Sequence, residues 1–220
     1  MMFEFTTEDI MGKNESSPKT LDDVMSEMDE FIGMNSIKEA IRRLAVQVVF
    51  MQQRLQLGIG NAEPMAVNIV LTGNPGTGKT SIARKMGELL KAVGMLPTDN
   101  VIEVDRNQMV GKYMGETPKL VNALCDRAMG GVLFIDEAYT LYESDGSSGD
   151  KYGKEAIEAL MKRMEDDRGK FVVIAAGYRK EMEMFMQVNP GLDSRFTHRL
   201  NIEDYTEKEL VEIFKALVRK

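Results

Sequence analysis

The stretch Gly73-Asn74-Pro75-Gly76-Thr77-Gly78-Lys79-Thr80 narrows the possible folds of this 220-residue chain more than any other feature. Gly73 and Gly78 bracket four residues and are followed by Lys and Thr, the spacing at which backbone N–H groups turn inward around phosphates. Lys79 then offers a charge to the terminal phosphates and Thr80 a hydroxyl to Mg²⁺. The context fits: an apolar run, Val67 to Thr72, leads into the loop, and Ile82, Met86, Leu89, Leu90 and Val93 follow at helical spacing. A strand, a glycine-rich loop and a helix in that order form the opening unit of a parallel sheet.

The rest of the chain repeats that alternation. Strand-like runs at Val101 to Asp105, Val132 to Ile135 and Phe171 to Ala176 are separated by helical patterns, one started by Pro118 and one carrying Ala156, Leu160 and Met164. His198 to Ile202 supplies a fifth strand. Ahead of the first strand, Leu21, Val24, Met25 and Met28 predict a short helix, and Ile37, Ile41, Leu44, Val48 and Leu55 a longer one stopped by Gly58 and Gly60. Phe31-Ile32-Gly33 falls in the turn between them. The expectation is therefore an α/β fold, a five-stranded parallel sheet sandwiched by helices. Thr206-Glu207-Lys208-Glu209 is a capping box that opens a last helix, whose apolar residues Leu210, Ile213, Phe214, Leu217 and Val218 have nothing after them to pack on. Residues 1–20 mix Glu, Ser, Thr and Pro without a period and read as a mobile leader, and the Gly- and Ser-rich stretch 143–150 as a mobile loop.

The run Val132-Leu133-Phe134-Ile135 delivers Asp136 and Glu137 at its carboxyl end, where ligands sit in open parallel sheets. Asp136 is placed to hold Mg²⁺ through water and Glu137 to orient and deprotonate an attacking water, which favours hydrolysis over transfer to a small molecule. Arg195 sits in Leu192-Asp193-Ser194-Arg195-Phe196 just before the last strand, at the sheet edge. An arginine in that place is a surface charge in a monomer, and in a ring of identical subunits it can reach the neighbour's nucleotide.

Charge and rare residues close off other chemistries. The formal net charge is -7, from 28 Lys and Arg against 35 Asp and Glu. Nine acids and two bases fall within residues 1–30, which leaves 26 of each beyond. A neutral body without a basic stripe gives no support to a nucleic-acid partner. One His, His198, removes paired-histidine metal sites, and one Cys, Cys125, excludes an internal disulfide. With no long apolar run and an acidic start unlike a signal peptide, the sequence predicts a cytoplasmic protein with no membrane partner. The methionines at 182, 184 and 186, with Phe185, are read as core filling.

Taken in order, Phe31-Ile32-Gly33, the phosphate loop, Phe134-Ile135-Asp136-Glu137-Ala138 and Leu192 to Phe196 resemble the AAA+ ATPases. Gly177-Tyr178-Arg179-Lys180-Glu181-Met182-Glu183-Met184-Phe185, followed by Asn189-Pro190-Gly191, is similar to the subfamily of stage V sporulation protein K and the red-type Rubisco activases, with the ATPase domains of type VII secretion systems. The resemblance covers about residues 20–217. It implies a P-loop NTPase with strand order 5-1-4-3-2, an ATPase core over 21–203 and the first helix of a truncated small helical lid over 204–220. It implies an adenine pocket at Phe31, Ile32 and Gly33, a Walker A motif over Gly73 to Thr80, and nucleotide (ATP or ADP) contacts at Asn74, Pro75, Gly76, Thr77, Gly78, Lys79, Thr80 and Ser81. Thr80 and Asp136 become the Mg²⁺ residues, Glu137 the catalytic base beside Lys79, and Arg195 an arginine finger acting in trans. Lys112-Tyr113-Met114-Gly115 matches the loop that lines a central pore, in which Tyr113 and Met114 grip a polypeptide. The function implied is Mg-dependent ATP hydrolysis in a hexameric ring, coupled to remodelling or threading of a protein client. The alternative is a nucleotide-dependent assembly switch with little turnover. Two departures stand out: Ala175-Ala176-Gly177-Tyr178 replaces the polar sensor that ends the fourth strand in many AAA+ proteins, and a second sensor would lie beyond Lys220.

Overall fold

The computed structural model describes residues 19–58, 66–142 and 151–218. The leader up to residue 18, Gly60 and the stretch 143–150 lie outside the described residues. The chain begins with helices α1 (Leu21–Asp29) and α2 (Asn35–Gln56), then runs β1 (Ile69–Thr72), α3 (Lys79–Ala92), β2 (Val101–Val104) and the short α4 (Arg106–Met109). It continues through α5 (Thr117–Ala128), β3 (Val132–Ile135), a 3-10 turn (Ala138–Leu141), α6 (Lys151–Asp166) and β4 (Val172–Gly177). The last elements are α7 (Arg179–Gln187), α8 (Pro190–Arg195), β5 (His198–Asn201) and α9 (Glu207–Val218).

All five strands are parallel, in the order β2-β3-β4-β1-β5. Read from the other edge this is 5-1-4-3-2, the order expected. Alternation along each strand feeds two cores. Val70, Leu133, Ile135, Val173 and Ala175 pack towards α5, α6 and α7, while Ile69, Leu71, Phe134, Ile174 and Ala176 pack towards α1, α2 and α3. Burial on both faces is why the central strands are apolar throughout instead of alternating with polar residues.

Register decides where the chemistry falls. Thr72 pairs with Gly177 and Ile135 with Ala175, so the loop after β1 and the acids after β3 emerge on either side of the end of β4. Asn68, only 4% exposed, ties three elements together at the opposite end of the sheet. Its side-chain oxygen accepts from Val173 N (2.9 Å) and its amide donates to the Arg195 carbonyl (3.2 Å). A polar residue at the mouth of an apolar run is here a staple, its hydrogen bonds offsetting the cost of burial.

Two residues, Met184 and Leu55, differ from the sequence expectation. Residues 179–187 form a helix, with Met182, Phe185 and Met186 buried in the core and Met184 57% exposed. Met184, read with its neighbours as core filling, faces away from the core because a helix that buries positions 182, 185 and 186 turns position 184 outward. At the end of α2, Leu55 is exposed and not part of the buried face.

Candidate functional site

The phosphate loop joins β1 to α3, and its conformation requires glycine at two places. Gly76 (φ 74°) and Gly78 (φ 89°) occupy the left-handed region, which a side chain disfavours. Gly73 meets a different limit, since a Cβ there would stand 2.9 Å from the Thr77 hydroxyl oxygen and 3.1 Å from the Ile202 carbonyl oxygen. Thr77 is buried, and its hydroxyl donates to the Asn74 carbonyl at 2.7 Å. Lys79 Nζ donates to the carbonyls of Gly73 (2.9 Å) and Asn74 (3.0 Å), which keeps the ammonium curled under the loop.

A cavity of about 420 Å³ opens over this loop, lined by Pro75, Gly76, Gly78, Lys79, Thr80, Ser81, Asp136, Glu137, Gly177 and Tyr178. The loop residues and the acid pair, far apart in sequence, therefore share one concave surface. Burial pulls the Lys79 ammonium below its ordinary range, and the Asp136 and Glu137 carboxylates draw it back up. Glu137 has φ 47° and ψ 45°, a left-handed conformation that costs a non-glycine residue about 1–2 kcal/mol. The following turn holds it there: Thr140 donates to the Glu137 carbonyl through both its N–H (2.8 Å) and its hydroxyl (2.7 Å), and Arg106 clamps the Thr140 carbonyl at 2.7 Å. Such strain at a carboxylate facing a cavity is typical of sites where orientation matters more than stability.

The oxygen donors of Thr80 and Asp136 suit a hard cation. Among the described residues no cluster of three or more His, Cys, Asp and Glu forms a protein-only metal cage. That donor set fits Mg²⁺, which is usually bound through one or two protein groups with phosphates and water completing its shell.

A second cavity of about 400 Å³ shares Gly76, Gly78 and Ser81 with the first and continues to Glu30, Phe31, Ile32, Met34, Tyr205, Ile213, Ala216 and Leu217. The two together offer a polar end and an apolar end along one loop, the division that a nucleotide's phosphates and base present. The turn carrying Phe31 and Ile32 is shaped by Lys38, a buried lysine (7% exposed) whose ammonium donates to the carbonyls of Asp29 and Phe31 at the end of α1. Gly33 (φ 69°) stands against Glu209: a Cβ there would meet its carboxylate oxygen at 2.5 Å.

Sequence reasoning missed Tyr178, Tyr205 and Lys38. Tyr178 follows directly from β4, where a polar sensor was looked for. Its ring faces Lys79 Nζ at 5.5 Å and packs on Tyr139 at 5.6 Å. Position after a strand that ends beside the loop was the available signal for Tyr178; nothing local marked Tyr205 or Lys38.

Arg195 and Tyr113 lie apart from both cavities. The Arg195 guanidinium donates to the carbonyls of Met161 (3.2 Å) and Gly191 (3.1 Å) and pairs with Glu165 at 3.5 Å. Tyr113 and Met114 stand out into solvent, 71% and 81% exposed. Their loop is pinned from beneath, because Glu116 accepts from the N–H groups of Lys112 and Tyr113, both at 3.1 Å. Grooves between α7 and β5 contain Arg179 and Arg199, but Glu183 and Asp193 already pair with them.

Comparison with known proteins agrees with this geometry. Residues 69–204 match the ATPase family associated with various cellular activities (AAA). The chain is 44% identical over 192 residues to Protein CbbX of Cereibacter sphaeroides, covering 87% of this chain and 61% of that protein. It is 40% identical over 201 residues to the chloroplastic ribulose bisphosphate carboxylase/oxygenase activase of Cyanidioschyzon merolae, covering 91% and 68%. It is 38% identical over 209 residues to stage V sporulation protein K of Bacillus subtilis, covering 94% and 63%. The chain thus spans a little over 60% of the length of several curated relatives. With the family match over most of the sheet and the phosphate loop at its centre, the chain belongs to the AAA family of ATPases.

Proposed function

We propose that this chain hydrolyses ATP with Mg²⁺ in the cytoplasm, within a ring of six identical subunits, and that turnover remodels or threads a protein client. The observation that carries the reading is the shared cavity of Lys79, Thr80, Asp136 and Glu137, continuous with an apolar end at Phe31 and Ile32. The inward N–H groups of the loop and Lys79 would hold the phosphates, Thr80 and Asp136 the Mg²⁺, and the bound cation would neutralise charge that develops on the β- and γ-phosphates. Glu137 would take a proton from water as its oxygen attacks the γ-phosphorus, while the bond to the bridging oxygen breaks and ADP leaves with the electron pair. Residues 21–203 then form the ATPase core, and 204–220 the first helix of the small lid.

The client reading rests on the exposed Tyr113 and Met114, an amphipathic and an adaptable side chain suited to gripping many sequences weakly. One relative's name, an activase of another enzyme, is in keeping with a protein client. Replacing Glu137 with Gln should keep ATP binding and lower turnover by about 10²- to 10⁴-fold. Unchanged turnover in that variant would remove Glu137 as the base. Specific activity should also rise with protein concentration as rings assemble, and little turnover at any concentration would favour the assembly switch.

A further inference from the structure

Two residues of the phosphate loop are hydrogen-bonded to the segment between β5 and α9, and the first turn of α9 stands against Gly33. The Asn74 side-chain amide donates to both carboxylate oxygens of Asp204, at 2.9 and 2.8 Å. Only the nitrogen of that amide can face a carboxylate this closely, so its orientation is fixed by chemistry. The Tyr205 hydroxyl donates to the Thr77 carbonyl at 3.3 Å, and the same oxygen would lie 3.8 Å from a Cβ on Gly78. The first turn of α9 is in turn locked to this segment: Glu209 accepts from the Thr206 N–H (2.7 Å) and hydroxyl (2.8 Å), and Gly33 leaves room for Glu209 beside it.

Asn74 and Thr77 flank Pro75 and Gly76, and the two groups they use here, a side-chain amide and a main-chain carbonyl, are directed at Asp204 and Tyr205. A carbonyl tied to a fixed partner cannot rotate freely, and because the peptide unit is planar, fixing the Thr77 carbonyl also fixes the Gly78 N–H on the opposite side of that plane. We infer that Asp204 and Tyr205 are positioning residues that brace the phosphate loop through Asn74 and the Thr77 carbonyl and carry its nucleotide-dependent state to α9, Tyr205 doing so from the wall of the second cavity. This rests on the reading that the cavity takes a nucleotide. The link is short: Tyr205 adjoins the N-cap Thr206, so a shift of the Thr77 carbonyl displaces the start of α9 without passing through the sheet. Burial raises the Tyr205 phenol above its ordinary range, with the Glu209 carboxylate adding to it, so the hydroxyl remains a donor at neutral pH.

The test uses the full chain with a fluorescent ADP analogue and Mg²⁺, together with amide hydrogen exchange over residues 207–218. Tyr205→Phe removes one oxygen and should weaken binding about 2- to 10-fold, the range of a single hydrogen bond. Asp204→Ala should weaken it to a similar degree, whereas Asp204→Asn, which keeps an acceptor for Asn74, should bind as well as the unaltered chain or better. If Asp204 acted only by repelling phosphate, Ala and Asn would both tighten binding, and the brace would be overturned. In the unaltered chain, saturating nucleotide should change exchange over 207–218; in the Asp204→Ala, Tyr205→Phe double variant at saturation that change should fall by at least half. Full change in the double variant, or none in the unaltered chain, would overturn the transmission to α9 while leaving nucleotide binding intact. Failure of the unaltered chain to bind the analogue would instead remove the nucleotide reading and this inference with it.

Discussion

Asn68 shows how one side chain can hold the site's frame from a distance. It satisfies the Val173 N–H and the Arg195 carbonyl at once, so it sets both the start of β4 and the end of the helix that presents Arg195. Substituting Ala leaves two buried backbone groups without partners and should cost about 1–3 kcal/mol of unfolding free energy by denaturant titration. A loss below about 0.5 kcal/mol would mean that water replaces the amide without penalty. At this scale the sequence was partly legible. Lys79, Thr80, Asp136 and Glu137, which line one cavity, could be singled out in the sequence because phosphate chemistry asks for such types in such places after a strand. Asn68 was visible only as a polar residue in an apolar run. Tyr178 was hidden because an aromatic ring stands where a polar sensor was sought, although its face towards Lys79 is electrostatically attractive to an ammonium.

At the scale of elements, the helices divide by how much of their partner surface is local. The core faces of α3, α5 and α6 carry full apolar stripes and were predicted from period alone, with Leu89, Val121 and Leu160 buried. By contrast, α1 is short, and part of what seats it is a ring of charge. Glu27 pairs with Lys19 (2.7 Å) and Lys85 (2.5 Å), and Glu88 on α3 pairs with the same two lysines at 2.9 Å. The hydrogen bonds from Lys19 and then Lys85 hold the Glu27 carboxyl down at about 2, against an ordinary value of 4.5. A carboxyl with a depressed folded-state pKa stabilises the fold above its unfolded value and stops doing so as pH falls through the folded one. The stability that Glu27 confers should therefore be complete above about pH 5 and drain away towards pH 2. Measured as thermal midpoint against pH, Glu27→Gln should flatten the curve between those limits and leave its shape near neutrality unchanged. A parallel pair of curves would show that the charge ring does not seat α1.

For the whole molecule, the parallel sheet followed from the alternation of strands and helices, whereas the strand order followed from the family resemblance alone. The apolar end of the cavity did not follow, because Phe31, Met34, Tyr205 and Leu217 meet through tertiary contacts and share no local pattern. The assembly is the scale at which Arg195 must be judged. Its guanidinium rests on Met161, Gly191 and Glu165 and does not line the cavity that holds Lys79 in its own subunit. In the proposed ring, a head-to-tail interface would place one subunit's edge beside its neighbour's site. Lys79→Ala subunits cannot use their own site but still present Arg195, and Arg195→Ala subunits have an intact site but no finger to lend. Each variant alone should be inactive, a trans-acting arginine being worth about 10³- to 10⁵-fold in rate. Mixed in equal amounts with free exchange, half the subunits have an intact site and half of those face a neighbour that still has Arg195. Activity should then recover to about a quarter of the unaltered value. The mixing curve should peak near equal amounts and fall to zero at both ends. If Arg195 instead acts within its own subunit, every subunit in the mixture lacks one essential group and no ratio restores turnover.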